Sequence, residues 1–442
     1  MSLGPSAGAG PWRVSHNATG ANRGGRCYLA AMALARSPVG LGTIAREWTR
    51  IGCIGFGGPP AHIALLRKLC VEQRGWLSAA EFEDGIAVTN LLPGPASTQL
   101  AIFCAWRLAG VAGALVGGAG FIVPGLIVIL GLSALFLAEH PPLWIAGAAA
   151  GAGAVVPAVA VAAAIGLVPA SWRRAATDAG EAGRSRWPRM RWVGYLLAGS
   201  IAAALAGTFV VVVLAASGVI ELLVRRSHGQ RRGRRGPARG VGDGTSGPGR
   251  IAALLPIVLA APAATGGLLA LAWVAFKVGA LSYGGGFVII PLMQRDAVHT
   301  YHWMSGAQFL SAVALGQVTP GPVVQTVAVV GYAAAGLGGG LLASLVAFTP
   351  SFAFVLSGAP HFAALRRNAR VQAFLTGAGP AAIGAIAGSA ISLGLELTQL
   401  WQVAVLGLAA IWLLALRKNV VAAIVGAAGL GVIAALVGAP LP

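Results

Sequence analysis

Two clusters of glycine and proline interrupt long apolar stretches of this chain, and the residues in and around them are of the types that hold an anion. The first is Phe56-Gly57-Gly58-Pro59-Pro60-Ala61-His62-Ile63, and the second is Leu91-Leu92-Pro93-Gly94-Pro95-Ala96-Ser97-Thr98. Proline is favoured at the first helical position, and its ring stops a helix from running back past that point. Pro59-Pro60 and Pro95 therefore mark the starts of half-helices, with Gly57, Gly58, Pro93 and Gly94 in the unwound turns before them. The first N–H groups of a helix lack an intrahelical partner and carry the positive end of its dipole, so such ends bind anions. Ser97 and Thr98 add hydroxyl donors in the first turn. His62 is suited to hydrogen-bonding an oxyanion or carrying a proton; a packing histidine is the alternative.

Both clusters recur in the second half of the chain at one constant offset, as Tyr283-Gly284-Gly285-Gly286 and Val318-Thr319-Pro320-Gly321-Pro322, with Gln325 and Thr326 in the following turn. The register holds at Gly52, Trp76, Ser78 and Phe82, which meet Gly279, Trp303, Ser305 and Phe309, and extends through Ala101, Gly113 and Phe121 to Ala328, Gly340 and Phe348. After a one-residue deletion, Gly151-Ala152-Gly153 meets Gly377-Ala378-Gly379. Chance identities in Gly/Ala-rich helices do not keep Trp, Phe and Pro-Gly-Pro in one register, so the chain is an internal duplication. Arg50 and Lys277 are repeat equivalents. Lys277 lies inside an apolar run, where a charge is costly and marks a functional site, with snorkelling to an interface as the alternative. Arg50, beside Arg46, is at most an electrostatic helper.

The elements that carry these residues are membrane helices. Of 442 residues, 57% are hydrophobic and 10% charged, against about 25% charged in soluble domains. The runs do not alternate, which excludes a transmembrane barrel, and 65 glycines suit close helix packing in lipid. The net charge of +19 comes from arginines clustered at 171–191 and 225–250, which is the pattern of cytoplasmic loops rather than of nucleic-acid binding. The four cysteines and the His299/His302 pair offer no metal site, and no cofactor is expected. Glu221 and Glu396 read as interfacial, and Glu72 and Asp296 as loop acids with basic partners nearby. The expected organisation is a disordered cytoplasmic extension at 1–40, a first repeat at 41–224, a flexible Arg-rich cytoplasmic linker at 225–250 and a second repeat at 251–442.

Loop charges set the orientation. Arg67, Lys68 and Arg74 follow the first motif in half one, where half two has only Arg295; around Glu139-His140 there are none, where half two has Arg366, Arg367 and Arg370. The repeats are therefore expected to be inverted. The count of crossings comes right when 82–108 and 309–334 enter, turn at Pro-Gly-Pro and leave by the same face; a broken full span is the alternative. Segment 192–224 would be about 50 Å of helix and is expected to be two short spans turning near Gly207. The fold class is an all-α polytopic membrane protein of two inverted-topology repeats with broken, re-entrant or spanning, helices.

These motifs resemble the chromate ion transporter family. Half one carries Phe56-Gly57-Gly58-Pro59, Gly75-Trp76-Leu77 and Asn90-Leu91-Leu92-Pro93-Gly94-Pro95-Ala96-Ser97-Thr98-Gln99; half two carries Gly284-Gly285-Gly286, Ile290-Pro291-Leu292 and Gly316-Gln317-Val318-Thr319-Pro320-Gly321-Pro322. The resemblance covers about 41–440 and points to a long-chain, two-domain member. It implies a bacterial inner-membrane secondary carrier that exports chromate, confers resistance and draws on the proton-motive force, and not an enzyme. A sulfate carrier or anion channel of the same fold is the alternative. The implied partners are chromate or sulfate and membrane lipid, with a homodimer left open. The basic linker, the N-terminal extension and Tyr283 depart from the family pattern. Reporter fusions test the inversion: an alkaline phosphatase joined after His140 should be active and one joined after Asn368 inactive, and equal activity at both would remove it.

Overall fold

In the computed structural model, the described residues are 39–90, 92, 94–181, 187–205, 209–233, 267–282, 286–358 and 368–442. They hold helices and no strand. The expected extension at 1–40 and linker at 225–250 fall largely outside them. Helix α1 (Leu41–Ile54) ends at the first break and α2 (Pro59–Arg67) starts soon after it, passing into a π-helical turn at Lys68–Gln73. Helix α3 (Ala79–Thr89) and the long run α4 (Ala96–Phe136) flank the first Pro-Gly-Pro. Then come α5 (Leu143–Ala154), α6 (Val156–Glu181), α7 (Trp187–Leu205) and α8 (Val210–Gly233). The apolar stretch expected to make two short spans is thus two helices, α7 and α8, while Gly207 itself lies outside the described residues. Helix α8 continues through 225–233, where a flexible linker was expected.

The second half repeats the first. Helix α9 (Leu268–Leu281) starts and ends where the repeat register places the two ends of α1, and the π turn at Arg295–Thr300 keeps the same register with its counterpart. Between them sits α10 (Ile290–Gln294), and after them α11 (Gly306–Val318). Both α3 and α11 open with a capping box, Ser78 with Glu81 and Ser305 with Gln308, which satisfies the first free N–H groups. Helix α12 (Thr326–Gly358), α13 (Ala369–Leu395), α14 (Leu400–Ala410) and α15 (Val420–Leu436) complete the chain.

A straight α4 of 41 residues would be about 60 Å long. It reverses instead at Ala109-Gly110, where φ/ψ leave the helical region, and α12 does so at Ala335-Gly336. The arm after the reversal folds back on the arm before it, so that Gly113 and Gly117 face Ala105. Ala109 and Ala335 already stand in the shortened register, so the deletion falls earlier than the sequence placed it. Gly113 and Phe121 correspond to Gly339 and Ala347, not to Gly340 and Phe348. The contacts agree, since Gly52 of α1 faces the Phe121 carbonyl and Gly279 of α9 faces that of Ala347.

Helix α3 and residues 96–108 pair as an antiparallel hairpin around Pro-Gly-Pro. Gly85 lies against Leu100 and Phe103, and the Arg107 guanidinium meets the Glu81 carboxylate at 2.5 Å. With 11 residues in α3, each arm reaches about 16–20 Å, short of a ~30 Å hydrocarbon core. That is the geometry a re-entrant segment requires. Among the described residues, four helical runs, Ala96–Phe136, Leu143–Ala175, Val323–Gly358 and Ala369–Leu395, are long and apolar enough to cross a membrane.

Leu41–Pro442 form one compact unit in which the halves are interlaced. Helix α13 of half two packs on α6, α7 and α8 of half one, and α5 of half one packs on α11 and α15 of half two. Glycine makes both exchanges possible: Gly151 of α5 faces the Ala427 carbonyl and Gly377 of α13 faces that of Ser217, with no room for a Cβ at either. The Ser200 hydroxyl donates to the Gly384 carbonyl at 2.9 Å, and the Gln402 amide to that of Ala150 at 3.2 Å. Gly151→Val and Gly377→Val should each destabilise the fold by about 1–3 kcal/mol, read as a lower thermal midpoint in detergent. Gly426→Val, where a side chain meets open space, should leave the midpoint unchanged.

Candidate functional site

The four breaks meet through two hydrogen bonds that cross between the halves. Gly94 N–H donates to the Ser282 carbonyl at 2.7 Å, and Gly321 N–H donates to the Gly55 carbonyl at 3.0 Å. Gly55 and Ser282 are repeat equivalents, as are Gly94 and Gly321, so one interaction is made twice. Each Pro-Gly-Pro loop is tied to the helix end of the other half. The φ angles of +122° at Gly94 and +94° at Gly321 are left-handed, which only glycine adopts freely.

Around the Gly55 carbonyl the expected residues come together. His62 is fully buried, with Nε2 2.9 Å from that carbonyl and Nδ1 3.3 Å from the Ser97 hydroxyl. A carbonyl can only accept, so Nε2 carries a proton; in the neutral ring Nδ1 then accepts from Ser97. Phe121 packs its ring at 87° against the imidazole. Pro320 lies behind the other loop, its carbonyl against Gly125 of α4. Gln325 donates to the Ile122 carbonyl at 2.6 Å, and the Thr326 hydroxyl donates to that of Val323 at 2.9 Å. Gly57 and Gly58 have φ of +97° and +74°, and Gly286 has +96°. Pro93, Gly284 and Gly285 lie outside the described residues. Pro59 and Pro60 bring no N–H, so α2 offers its first donor only at Ala61; in half one Ala96, Ser97 and Thr98 supply the richer helix start.

Five buried polar atoms near these loops have no hydrogen-bonding partner among the described residues: Thr98 Oγ1, Ser282 Oγ, Gln317 Nε2, Gln325 Oε1 and Ser351 Oγ. A buried unsatisfied polar atom costs about 1–3 kcal/mol. Their concentration at the breaks is that of a polar site in an otherwise apolar interior.

The two expected cations part company. Lys277 Nζ lies 2.5 Å from the Asp296 carboxylate, with 14% and 11% of the side chains exposed. Trp273 adds a ring face 6.0 Å from the ammonium. Lys277 is therefore half of a buried ion pair. Arg50 has 68% of its side chain exposed and stands 3.8 Å from Glu47, which also holds Arg46 and Arg74. Glu221, read as interfacial from the sequence, is buried, because Arg191, Arg225 and Tyr195 all bond its carboxylate. The π-helical turn after α10 brings Asp296 back under α9, a meeting that spacing along the chain does not reveal.

A cavity of about 180 Å³ opens beside Gly94 and Ala96. One wall is the stripe Leu167, Ala170, Ser171 and Arg174 on α6; the facing wall is α13, including Thr376 and Gly379. Thr89 and Asn90 at the end of α3, and Val288 beyond the second-half break, close it. Arg174 is the one charged side chain on its lining among the described residues. Sequence reasoning missed this group because Arg174 belongs to an arginine cluster that reads as a topology signal. Its i, i+3, i+4, i+7 spacing with Leu167 was the available clue.

Fold and site together define a multi-pass, all-helical membrane protein whose broken helices meet in two-fold repetition. The chromate transporter family model matches residues 42–222 and 269–432. The chain is 30% identical to a chromate transport protein of Cupriavidus metallidurans over 78% of this chain and 80% of that one. It is 29% identical to a probable chromate transport protein of Synechococcus elongatus, over 79% and 84%. It also resembles a chromate transport protein of Pseudomonas aeruginosa at 28% identity, over 80% and 82%. No solved structure matches. The chain belongs to the chromate transporter family.

The Lys277–Asp296 pair is open to a double-substitution cycle. Lys277→Ala and Asp296→Ala should each cost about 3–5 kcal/mol by stranding a buried charge. The double variant should be more stable than the sum of the two losses implies, measured by thermal unfolding in detergent.

Proposed function

We propose that this protein is a secondary transporter that exports chromate across a bacterial cytoplasmic membrane and thereby confers resistance to it. Membership of the chromate transporter family supports the substrate. The observation that carries the mechanism is the doubled tie, Gly94 to Ser282 and Gly321 to Gly55, which draws the breaks of both halves to one place. In this reading the repeats are inverted, the basic linker is cytoplasmic, and the anion binds among the broken-helix ends near the membrane midplane. The free N–H groups at Ala96–Thr98 and the hydroxyls of Ser97 and Thr98 face its negative charge. His62, with Nε2 on the Gly55 carbonyl and Nδ1 beside the Ser97 hydroxyl, is in this reading the titratable group at the first break that takes up and releases a proton during transport.

Energetics favour export. A membrane potential negative inside contributes about 2.3 kcal/mol per charge per 100 mV, so outward movement of a dianion gains about 4.6 kcal/mol. A carrier built on rocking repeats needs ties weak enough to break on each cycle. A backbone hydrogen bond, with a net worth of about 0.5–1.5 kcal/mol, fits that need.

Inside-out vesicles containing the protein should accumulate labelled chromate when energised, and a protonophore should abolish the accumulation. Uptake equal to that of empty vesicles would sink the proposal. Full competition by unlabelled sulfate would shift the substrate to oxyanions in general. Gly94→Ala and Gly321→Ala should each reduce uptake at least about tenfold at normal membrane abundance, since each forces a side chain into a left-handed φ.

A further inference from the structure

We propose that the transported anion binds at only one of the two Pro-Gly-Pro loops, the one around Gly94, and that half two supplies two of its ligands there. Those ligands are the hydroxyls of Ser282 and Ser351, which act beside that of Thr98 at the start of α4. This rests on the oxyanion-transport reading and adds to it a place, two residues and a stoichiometry of one ion per chain.

Thr98, Ser282 and Ser351 are each fully buried, and none of their hydroxyls has a hydrogen-bonding partner among the described residues. They reach the loop from three elements: the first turn of α4, the residue that closes α9, and the later part of α12. The Ser282 carbonyl takes the Gly94 N–H at 2.7 Å, and Ser351 Oγ lies 3.3 Å from the point where a Cβ on Gly94 would stand. The Gln99 side chain meets that same point with its amide nitrogen. A helical Ser or Thr commonly bonds the carbonyl one turn back, as Thr89, Ser133 and Thr349 do. Thr98 and Ser351 do not. Each of the three hydroxyls is therefore a donor with no acceptor in the protein. The helix start adds the N–H groups of Ala96, Ser97 and Thr98, with the positive end of the α4 dipole behind them. Such a cluster of donors suits an acceptor-only ion, and a tetrahedral dianion offers several oxygens to share among them.

The other loop has the opposite polarity. By repeat register Ser282 corresponds to Gly55 and Ser351 to Gly125, while Thr98 corresponds to Gln325 or Val324, depending on the side of it on which the deletion falls. None of these residues carries a hydroxyl. Gln325 donates its amide N–H to the Ile122 carbonyl at 2.6 Å, which settles the direction of its oxygen. Oε1 then lies 3.5 Å from the point where a Cβ on Gly321 would stand, and the Phe121 carbonyl lies 3.6 Å from it. The Pro320 carbonyl and the same Oε1 crowd Gly125. The Thr326 hydroxyl is committed to the Val323 carbonyl at 2.9 Å. An anion at Gly321 would face oxygen lone pairs where at Gly94 it faces hydrogens. The frame is duplicated, but the side chains that reach across it leave one loop fit for an anion.

Equilibrium dialysis of the detergent-solubilised full chain with labelled chromate reads affinity and stoichiometry. Thermal unfolding of the same protein, with and without chromate, separates binding from folding. The wild type should bind one chromate per chain and gain in thermal midpoint as it does so. Ser351→Ala, Ser282→Ala and Thr98→Val each remove a hydroxyl with little change of shape. Each should raise Kd at least about tenfold, as expected for a lost hydrogen bond to a charged group. Without chromate their midpoints should equal or exceed that of the wild type, because the hydroxyl removed has no protein partner to lose. Ser351→Cys, close in size but a weaker donor, should bind with a Kd between those of the wild type and Ser351→Ala. Wild-type Kd in any of the three hydroxyl-free variants would overturn the assignment, as would two chromate ions per chain, or none. One chromate per chain, weakened by these substitutions, in a protein whose energised inside-out vesicles accumulate none would overturn the transport reading and leave the site standing.

Discussion

A helix broken inside a membrane leaves backbone N–H and C=O groups that lipid cannot satisfy, at several kcal/mol apiece. Here two of those groups in each half are satisfied by the other half: Gly94 by Ser282, and Gly321 by Gly55. His62 also donates to the Gly55 carbonyl from within half one, but the Gly94 and Gly321 N–H groups find their acceptors across the halves. The breaks are thus tolerable only where the two halves are apposed, and the rest of the architecture serves to keep them so. The helical hairpins carry Pro-Gly-Pro to the meeting place, and the reversals at Ala109-Gly110 and Ala335-Gly336 bring the following long arms back beside them.

The interlacing of helices follows from the same constraint. Helix α13 sits among α6, α7 and α8, while α5 sits on α11 and α15. These exchanges run backbone against backbone at Gly151, Gly377, Gly384 and Gly388. In lipid no hydrophobic force drives helices together, so close approach through small residues and interhelical hydrogen bonds must supply the attraction. The abundance of glycine is in this sense a packing requirement of two halves that hold each other's helices.

On this nearly symmetric backbone the charges are not symmetric. Lys277 is buried against Asp296, whereas its counterpart Arg50 is exposed, one of three arginines around the buried Glu47 carboxylate. His62 fills the first break, while half two has Ile289 at that register, equally buried but apolar. The arginine on the wall of the cavity beside Gly94, Arg174, belongs to half one. Duplication supplied the frame, and divergence of single side chains gave its two halves different chemistry.

The sequence by itself determined a great deal. Composition established a helical membrane protein, since too few charges exist to solvate a soluble surface. Register along the chain revealed the duplication, and Gly/Pro punctuation located the Gly-Gly and Pro-Gly-Pro breaks, because φ restriction is a local property that a residue carries with it; the division at Val155 between α5 and α6 was not among them. Pairings between distant segments were out of reach. Spacing alone could not show that Lys277 meets Asp296, that Glu221 is enclosed by two arginines, or that Arg174, one of a cluster of arginines along the chain, lies on a cavity wall. The deletion register between the repeats was also misplaced at Gly113 and Phe121, since apolar helices tolerate a one-residue shift without a sequence trace. Local conformation was legible because it is written residue by residue. Which charge neutralises which, and which helix lends its face to which half, was decided only when the two repeats closed on one another.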